Sequence, residues 1–149
     1  RVPAAAGVSS DIVDMARWMR AQMGENKHVL SARALALAHA PLVSTRHVYS
    51  GELARALGDA SYGLGWRSFT YAGRLLIGHS GAVDGYRSTM IFDPATRTGV
   101  AALWNDGWGR PFRLPFAVFD SYYGEAGHDW LDLSDLPEVK RPAVTSAPN

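Results

Sequence analysis

Glycine placement constrains this chain more than any other feature: nine of its 15 glycines fall between Gly63 and Gly109. Between them lie short runs rich in aromatic and β-branched residues, Leu64 to Thr70, Arg74 to Ile77, Tyr86 to Phe92 and Val100 to Trp104. Such runs, punctuated by residues that permit tight turns, predict strands. Asp93-Pro-Ala-Thr-Arg-Thr98 has the chemistry of a tight connection, so the last two strands should pair as an antiparallel hairpin. Val100-Ala-Ala-Leu-Trp104 is apolar on both sides, which predicts cover from helices on at least part of each face.

Helical periodicity lies on either side of this region. Ile12, Met15, Ala16, Met19 and Met23 share one stripe, predicting a helix over 9–23 capped by Ser9 or Ser10 and stopped by Gly24. A shorter helix is predicted from Ala32 to His39, capped by Ser31, with one helical turn at Glu52 to Leu57. Phe112, Phe116, Phe119 and Tyr123 define a last helix, in whose first turn Pro115 must sit and which Gly124 should end. The expected fold is therefore α/β in the α+β sense, an antiparallel sheet of three to four strands flanked by helices. It divides into a mainly helical 1–60, a segment 61–127 of strands plus the last helix, and a tail or linker 128–149.

Composition excludes several function classes. The 149 residues carry 15 Lys and Arg against 14 Asp and Glu, a net charge of +1, so there is no basic footprint for nucleic acid. No apolar run is long enough to span a membrane. A hydrophobic content of 47% with five Trp supports a core and excludes general disorder. With no Cys there are no disulfides, thiolate metal sites or Cys nucleophiles, and His28, His39, His47 and His128 lack metal-ligand spacing, so neither metal nor cofactor is expected. The first residue is Arg1, with no leader after it, and the expectation is a chain trimmed or cut from something longer.

The densest candidate for chemistry is Gly78-His79-Ser80-Gly81-Ala82, which the sequence places between the Arg74 and Tyr86 strands. Three readings are open. It can be a Gly-rich turn whose His and Ser satisfy backbone groups. It can approximate G-x-S-x-G with Asp93 or Asp106 and His128 following, although that elbow requires a helix immediately after the Ser. It can also form one wall of an acyl-transfer site. There Gly81 would let a substrate backbone approach, Ser80 would donate a hydrogen bond, and the Ala82 amide would face a developing oxyanion.

Four segments in order carry a resemblance: Gly7-Val-Ser-Ser-Asp-Ile-Val-Asp-Met-Ala-Arg-Trp18, Tyr62-Gly-Leu-Gly-Trp66, His79-Ser-Gly-Ala-Val-Asp-Gly-Tyr-Arg-Ser88, and Phe92-Asp-Pro94 with Gly99-Val-Ala-Ala-Leu-Trp-Asn105. Over about residues 4–124 the chain resembles the C-terminal part of class C β-lactamases and their relatives, penicillin-binding-protein-like carboxypeptidases, D-aminopeptidases and family VIII esterases. The resemblance implies that His79-Ser80-Gly81 stands for the family's Lys-Thr-Gly or His-Ser/Thr-Gly strand. It further implies that Ser80 contacts the substrate carboxylate or acyl surroundings, that Ala82 gives an oxyanion amide, and that Arg113 helps recognise a substrate carboxylate. A solvated Arg at the start of a helix is the other reading of Arg113, while Tyr86 and Asn105 shape strands and Trp108 edges a substrate cleft.

His79 in place of Lys weakens the case for β-lactams, because a neutral imidazole binds an anion less strongly than an ammonium. The family's S-x-x-K and Y-x-N motifs are absent: the only lysines, Lys27 and Lys140, follow Gly24 and Pro137 by three residues, and no Tyr precedes Asn by two. No catalytic nucleophile is therefore expected within these 149 residues, which alone should be inactive. The implied function is that of a serine hydrolase acting on an ester or amide through an acyl-enzyme, with the N-terminal part of the same protein, or another copy at an exposed sheet edge, as partner. A non-catalytic binding module is the alternative. A periplasmic or secreted location follows from the resemblance alone.

Overall fold

The computed structural model describes residues 8–125 and 127–135. Helix α1 (Ile12–Gln22) starts at Asp11, whose carboxylate accepts a 2.9 Å hydrogen bond from the Asp14 amide. The N-cap is thus Asp11 and not the serines before it. Both residue types can satisfy an orphan amide, and the position of the first helical turn decides between them. Helix α2 (Ala32–Ala38) begins at the expected cap, with Ser31 Oγ accepting from the Ala34 amide. After β1 (Val43–Ser44) and a 3-10 turn at Arg46–Val48 comes the short helix α3 (Gly51–Ala56).

The sheet continues with β2 (Ser61–Tyr62), β3 (Arg67–Tyr71), β4 (Arg74–Val83), β5 (Tyr86–Asp93) and β6 (Thr98–Trp104). All six strands are antiparallel in the order β1-β2-β3-β4-β5-β6. The expected antiparallel sheet with flanking helices is present. It has six strands rather than three or four, because β1 and β2 are two residues each and too short to show an alternation. Val43 and Ser44, in the segment read as mainly helical, form the outermost strand.

Two hairpins fix the register. Ala72-Gly73 and Asp84-Gly85 all have positive φ, as the two central residues of a type I′ turn require. Asp93, 1% exposed, shapes the β5–β6 connection by accepting from the Ala95 and Thr96 amides at 2.8 and 3.2 Å.

Alternation then loads both faces of the sheet. Phe69, Tyr71, Leu76 and Ile91 meet Phe116 and Phe119 on one side, while Ile77, Met90 and Phe92 meet Met19 and Met23 on the other. Phe116 and Phe119 belong to α4 (Leu114–Tyr123), which follows a 3-10 turn at Arg110–Arg113 and ends at Gly124 with φ of 73°. Both α1 and α4 contact β6, as its doubly apolar sequence predicts. Trp130, in the segment read as tail or linker, is 1% exposed and packs against Tyr71 and Phe116. Beyond it lies a 3-10 turn at Leu133–Asp135. The remainder of the predicted tail, from residue 136, is outside the described residues.

Candidate functional site

The Gly78-to-Ala82 segment is neither a turn nor an elbow. It lies within β4, which runs on to Val83 before the Asp84-Gly85 turn and is paired with β5 throughout, from His79 opposite Met90 to Val83 opposite Tyr86. A nucleophile elbow needs a strand-to-helix turn at Ser80, and that geometry is excluded. Gly78 permits this path because a Cβ there would lie 2.5 Å from the Met90 carbonyl oxygen.

Register determines where the backbone groups of this strand point. In a two-residue hairpin the closing residues exchange hydrogen bonds, and bonded and non-bonded pairs then alternate along each strand. Tyr71–Arg74 and Val83–Tyr86 are the closing pairs. The even-numbered residues of β4 therefore direct their N–H and C=O groups toward β3, and the odd-numbered ones toward β5. β3 ends at Arg67, opposite Gly78. Beyond that point the backbone groups of Ser80 and Ala82 face a side where no strand meets them among the described residues. The Ala82 amide is consequently available to an incoming carbonyl oxygen.

Side chains around this edge form a cleft of about 330 Å³. Its apolar wall comes from Tyr49, Leu53, Phe69, Ile91, Phe112 and Phe116, and its polar rim from Arg67, His79 and Ser80. Ser80 Oγ is 3.0 Å from Thr89 Oγ1 on the opposing strand, a contact that fixes the hydroxyl. His79 Nε2 shares a 3.0 Å hydrogen bond with the Tyr62 hydroxyl, and the rings meet edge-on at 5.7 Å. Partial burial, and then the positive charge of Arg67, hold His79 below the usual imidazole pKa, outweighing a hydrogen bond that the ring donates to the Ser80 backbone. Burial and that charge both favour the neutral imidazole over the cation. Arg67 in turn lies with its guanidinium carbon 5.0 Å from the Tyr62 ring centre.

Other candidates are elsewhere. Arg113 pairs with Asp132 at 3.6 Å, beside the Arg110–Asp132 pair at 3.4 Å, and does not line the cleft. Trp108 is an exposed ring under Arg110 and also lies off the cleft. Sequence reasoning missed Arg67, Tyr62 and Thr89 as site residues. Tyr62-Gly-Leu-Gly-Trp66 ends immediately before Arg67, but only the pairing of Tyr62 with Arg67 and of Arg67 with Gly78 brings the three strands' residues together. Among the described residues no three His, Asp or Glu side chains gather as a metal would require, and no helix is long and apolar enough to cross a membrane.

A sequence model described as Beta-lactamase matches residues 1–115. The chain belongs to the beta-lactamase family. Comparison with curated proteins finds no match. Among solved structures, the fold is similar to that of the octameric penicillin-binding protein homologue from Pyrococcus abyssi, with a TM-score of 0.68 at 20% sequence identity. That superposition covers 78% of this chain and 25% of the archaeal one, so the present chain spans about a quarter of the relative's length. His79-Ser80-Gly81 lies on a strand paired with β5, and beyond Gly78 no strand pairs its other side among the described residues.

Proposed function

We propose that these residues form the substrate-binding wall of a serine hydrolase that cleaves an ester or amide through an acyl-enzyme. The supporting observation is the edge of β4 beyond Gly78, where among the described residues no strand meets the Ala82 amide, two residues from a fixed Ser80 hydroxyl that lines an apolar cleft. An amide already oriented toward an empty edge can stabilise the oxyanion of a tetrahedral intermediate without reorganising during the reaction. The nucleophilic Ser, its Lys and the Tyr come, in this reading, from polypeptide outside these 149 residues, which contain neither S-x-x-K nor Y-x-N. A His79 held below the usual imidazole pKa binds an anionic β-lactam or peptide carboxylate less strongly than a Lys would, which favours neutral esters. Self-association is also proposed, supported by the octameric state of the Pyrococcus abyssi homologue and by the outer edge of β6, which is unpaired among the described residues.

The test is an assay of the longer protein with a chromogenic short-chain ester and a cephalosporin. A burst followed by turnover on the ester, with little on the cephalosporin, is expected. Absence of both burst and turnover on either compound would overturn the proposal. The missing nucleophile motifs favour a second reading, a non-catalytic ligand-binding module. An upstream reading frame that encodes Ser-x-x-Lys decides for the hydrolase, and its absence for the module.

A further inference from the structure

Two phenylalanines of the cleft, Phe112 and Phe116, are held by a segment that does not itself line it, residues 128–134. Trp130 places its ring 5.4 Å from that of Phe116 and 6.2 Å from that of Tyr71, and its Nε1–H donates to Asp120 at 2.8 Å. Phe116 therefore has the cleft on one side and a buried indole against another. Two residues on, Asp132 meets the 3-10 turn that carries Phe112. Its carboxylate pairs with Arg110 at 3.4 Å and with Arg113 at 3.6 Å, and Arg110 also donates to the Asp132 carbonyl oxygen at 3.0 Å. A single exposed ion pair contributes little, but here two converge on one carboxylate next to a buried anchor. The segment is also closed on itself: Asp129 accepts from the Leu133 and Ser134 amides and the Ser134 hydroxyl at 2.7, 2.9 and 2.6 Å. Asp132 holds a left-handed φ of 49°, a conformation that persists in a residue other than glycine where its surroundings fix it.

We propose that this strap sets the depth of the cleft, and that Trp130 and Asp132 are positioning residues that limit the size of the apolar group a substrate can present. The proposal rests on the reading of the cleft as a substrate site, and it adds the residues that fix its size selectivity. Convergence carries it. Phe112 and Phe116 belong to successive elements, the 3-10 turn and α4, and one short segment grips both, through Asp132 at the turn and Trp130 at the helix. Among the described residues none of its hydrogen bonds, ion pairs or ring contacts reaches Arg67, His79 or Ser80, so the strap acts on the apolar wall and not on the polar rim. In a close-packed aromatic stack the rear ring holds the front one in place. With Trp130 truncated, Phe116 can fall back into the vacated space and the cleft deepens.

The experiment titrates the 149-residue chain by NMR with two neutral probes, 2-phenylacetamide and 4-phenylbutanamide, well below the thermal midpoint of each variant. The quantity read is the ratio of the two affinities, which a loss of stability alone does not move. Trp130→Ala is expected to shift that ratio toward the longer probe by about tenfold, and Asp132→Asn by about threefold in the same direction. Asn accepts a left-handed backbone, so Asp132→Asn keeps the path of the strap while removing its charge, and it decides the matter if Trp130→Ala does not fold. Trp130→Phe, which returns a ring behind Phe116, should bring the ratio back near that of the wild type. A wild-type ratio in Asp132→Asn, a shift toward the shorter probe, a Trp130→Phe ratio as displaced as that of Trp130→Ala, or no binding of either probe by the wild type would overturn the inference. Failure of the acyl-enzyme reading is seen separately: the longer protein would show no ester burst while the strap-dependent ratio persisted. An ester burst with an unmoved ratio would refute the strap alone.

Discussion

Asp120 is 3% exposed and accepts hydrogen bonds from the Tyr71 hydroxyl, from Trp130 Nε1 at 2.8 Å and from His128 Nδ1 at 3.1 Å. One carboxylate on α4 thus joins β3 to the segment after the helix. Burial pushes its pKa up, but the hydrogen bonds from Tyr71, Trp130 and His128 outweigh burial and hold it below the ordinary carboxyl value. Asp93 follows the same balance, with bonds from Tyr123 and from the Ala95 and Thr96 amides prevailing. A carboxyl depressed on folding contributes stability that is present above its unfolded pKa, near 4, and is lost as pH falls through the lower folded value. Urea midpoints are therefore expected to fall on acidification below about pH 4, and Asp120→Asn should flatten that fall. An unchanged pH profile in Asp120→Asn would contradict the assignment. Asp120→Ala leaves buried donors on Tyr71 and Trp130 unpaired and should cost about 3 kcal/mol at neutral pH by urea unfolding.

Among the elements, β4 shows where sequence and structure part. Its first half, Arg74 to Ile77, is legible as a strand, but Gly78, Ser80 and Gly81 are poor strand formers and read naturally as a turn. Pairing with β5 overrides that preference, because Met90, Thr89 and Ser88 lie opposite His79, Ser80 and Gly81. Helices fared differently. Their stripes of Met15, Met19 and Met23, and of Phe116 and Phe119, are local signals that survive folding unchanged, as the two core clusters show. The candidate site was partly legible for the same reason: His79, Ser80 and Ala82 are neighbours in sequence, whereas Arg67 joins them only through strand register. Gly78 tests the importance of this pairing. In Gly78→Ala the new methyl would lie 2.5 Å from the Met90 carbonyl oxygen and 3.1 Å from Ile91 Cα, backbone atoms that cannot yield without disturbing the ladder, and 2.8 Å from the Ile91 side-chain atom Cγ1. A loss of about 1–3 kcal/mol is expected, read as a lower thermal midpoint. A wild-type midpoint would mean that β4 and β5 are less closely apposed than described.

On the scale of the whole molecule, the sheet has two unlike edges. One is β1, only two residues long, which offers little backbone for a further strand. The other is β6, seven residues from Thr98 to Trp104, which pairs with β5 alone among the described residues. Its apolar sequence, with Leu103 exposed, has none of the lysines or prolines that commonly protect such an edge. The backbone groups facing away from β5 can accept another strand, either from another copy or from polypeptide outside these residues. The isolated chain should therefore self-associate as its concentration rises, with light scattering reporting a mass above 16.2 kDa. Leu103→Lys places a charge on that edge and should shift the equilibrium toward monomer. A monodisperse monomer at high concentration would show that the β6 edge does not recruit a strand and would remove the structural support for self-association.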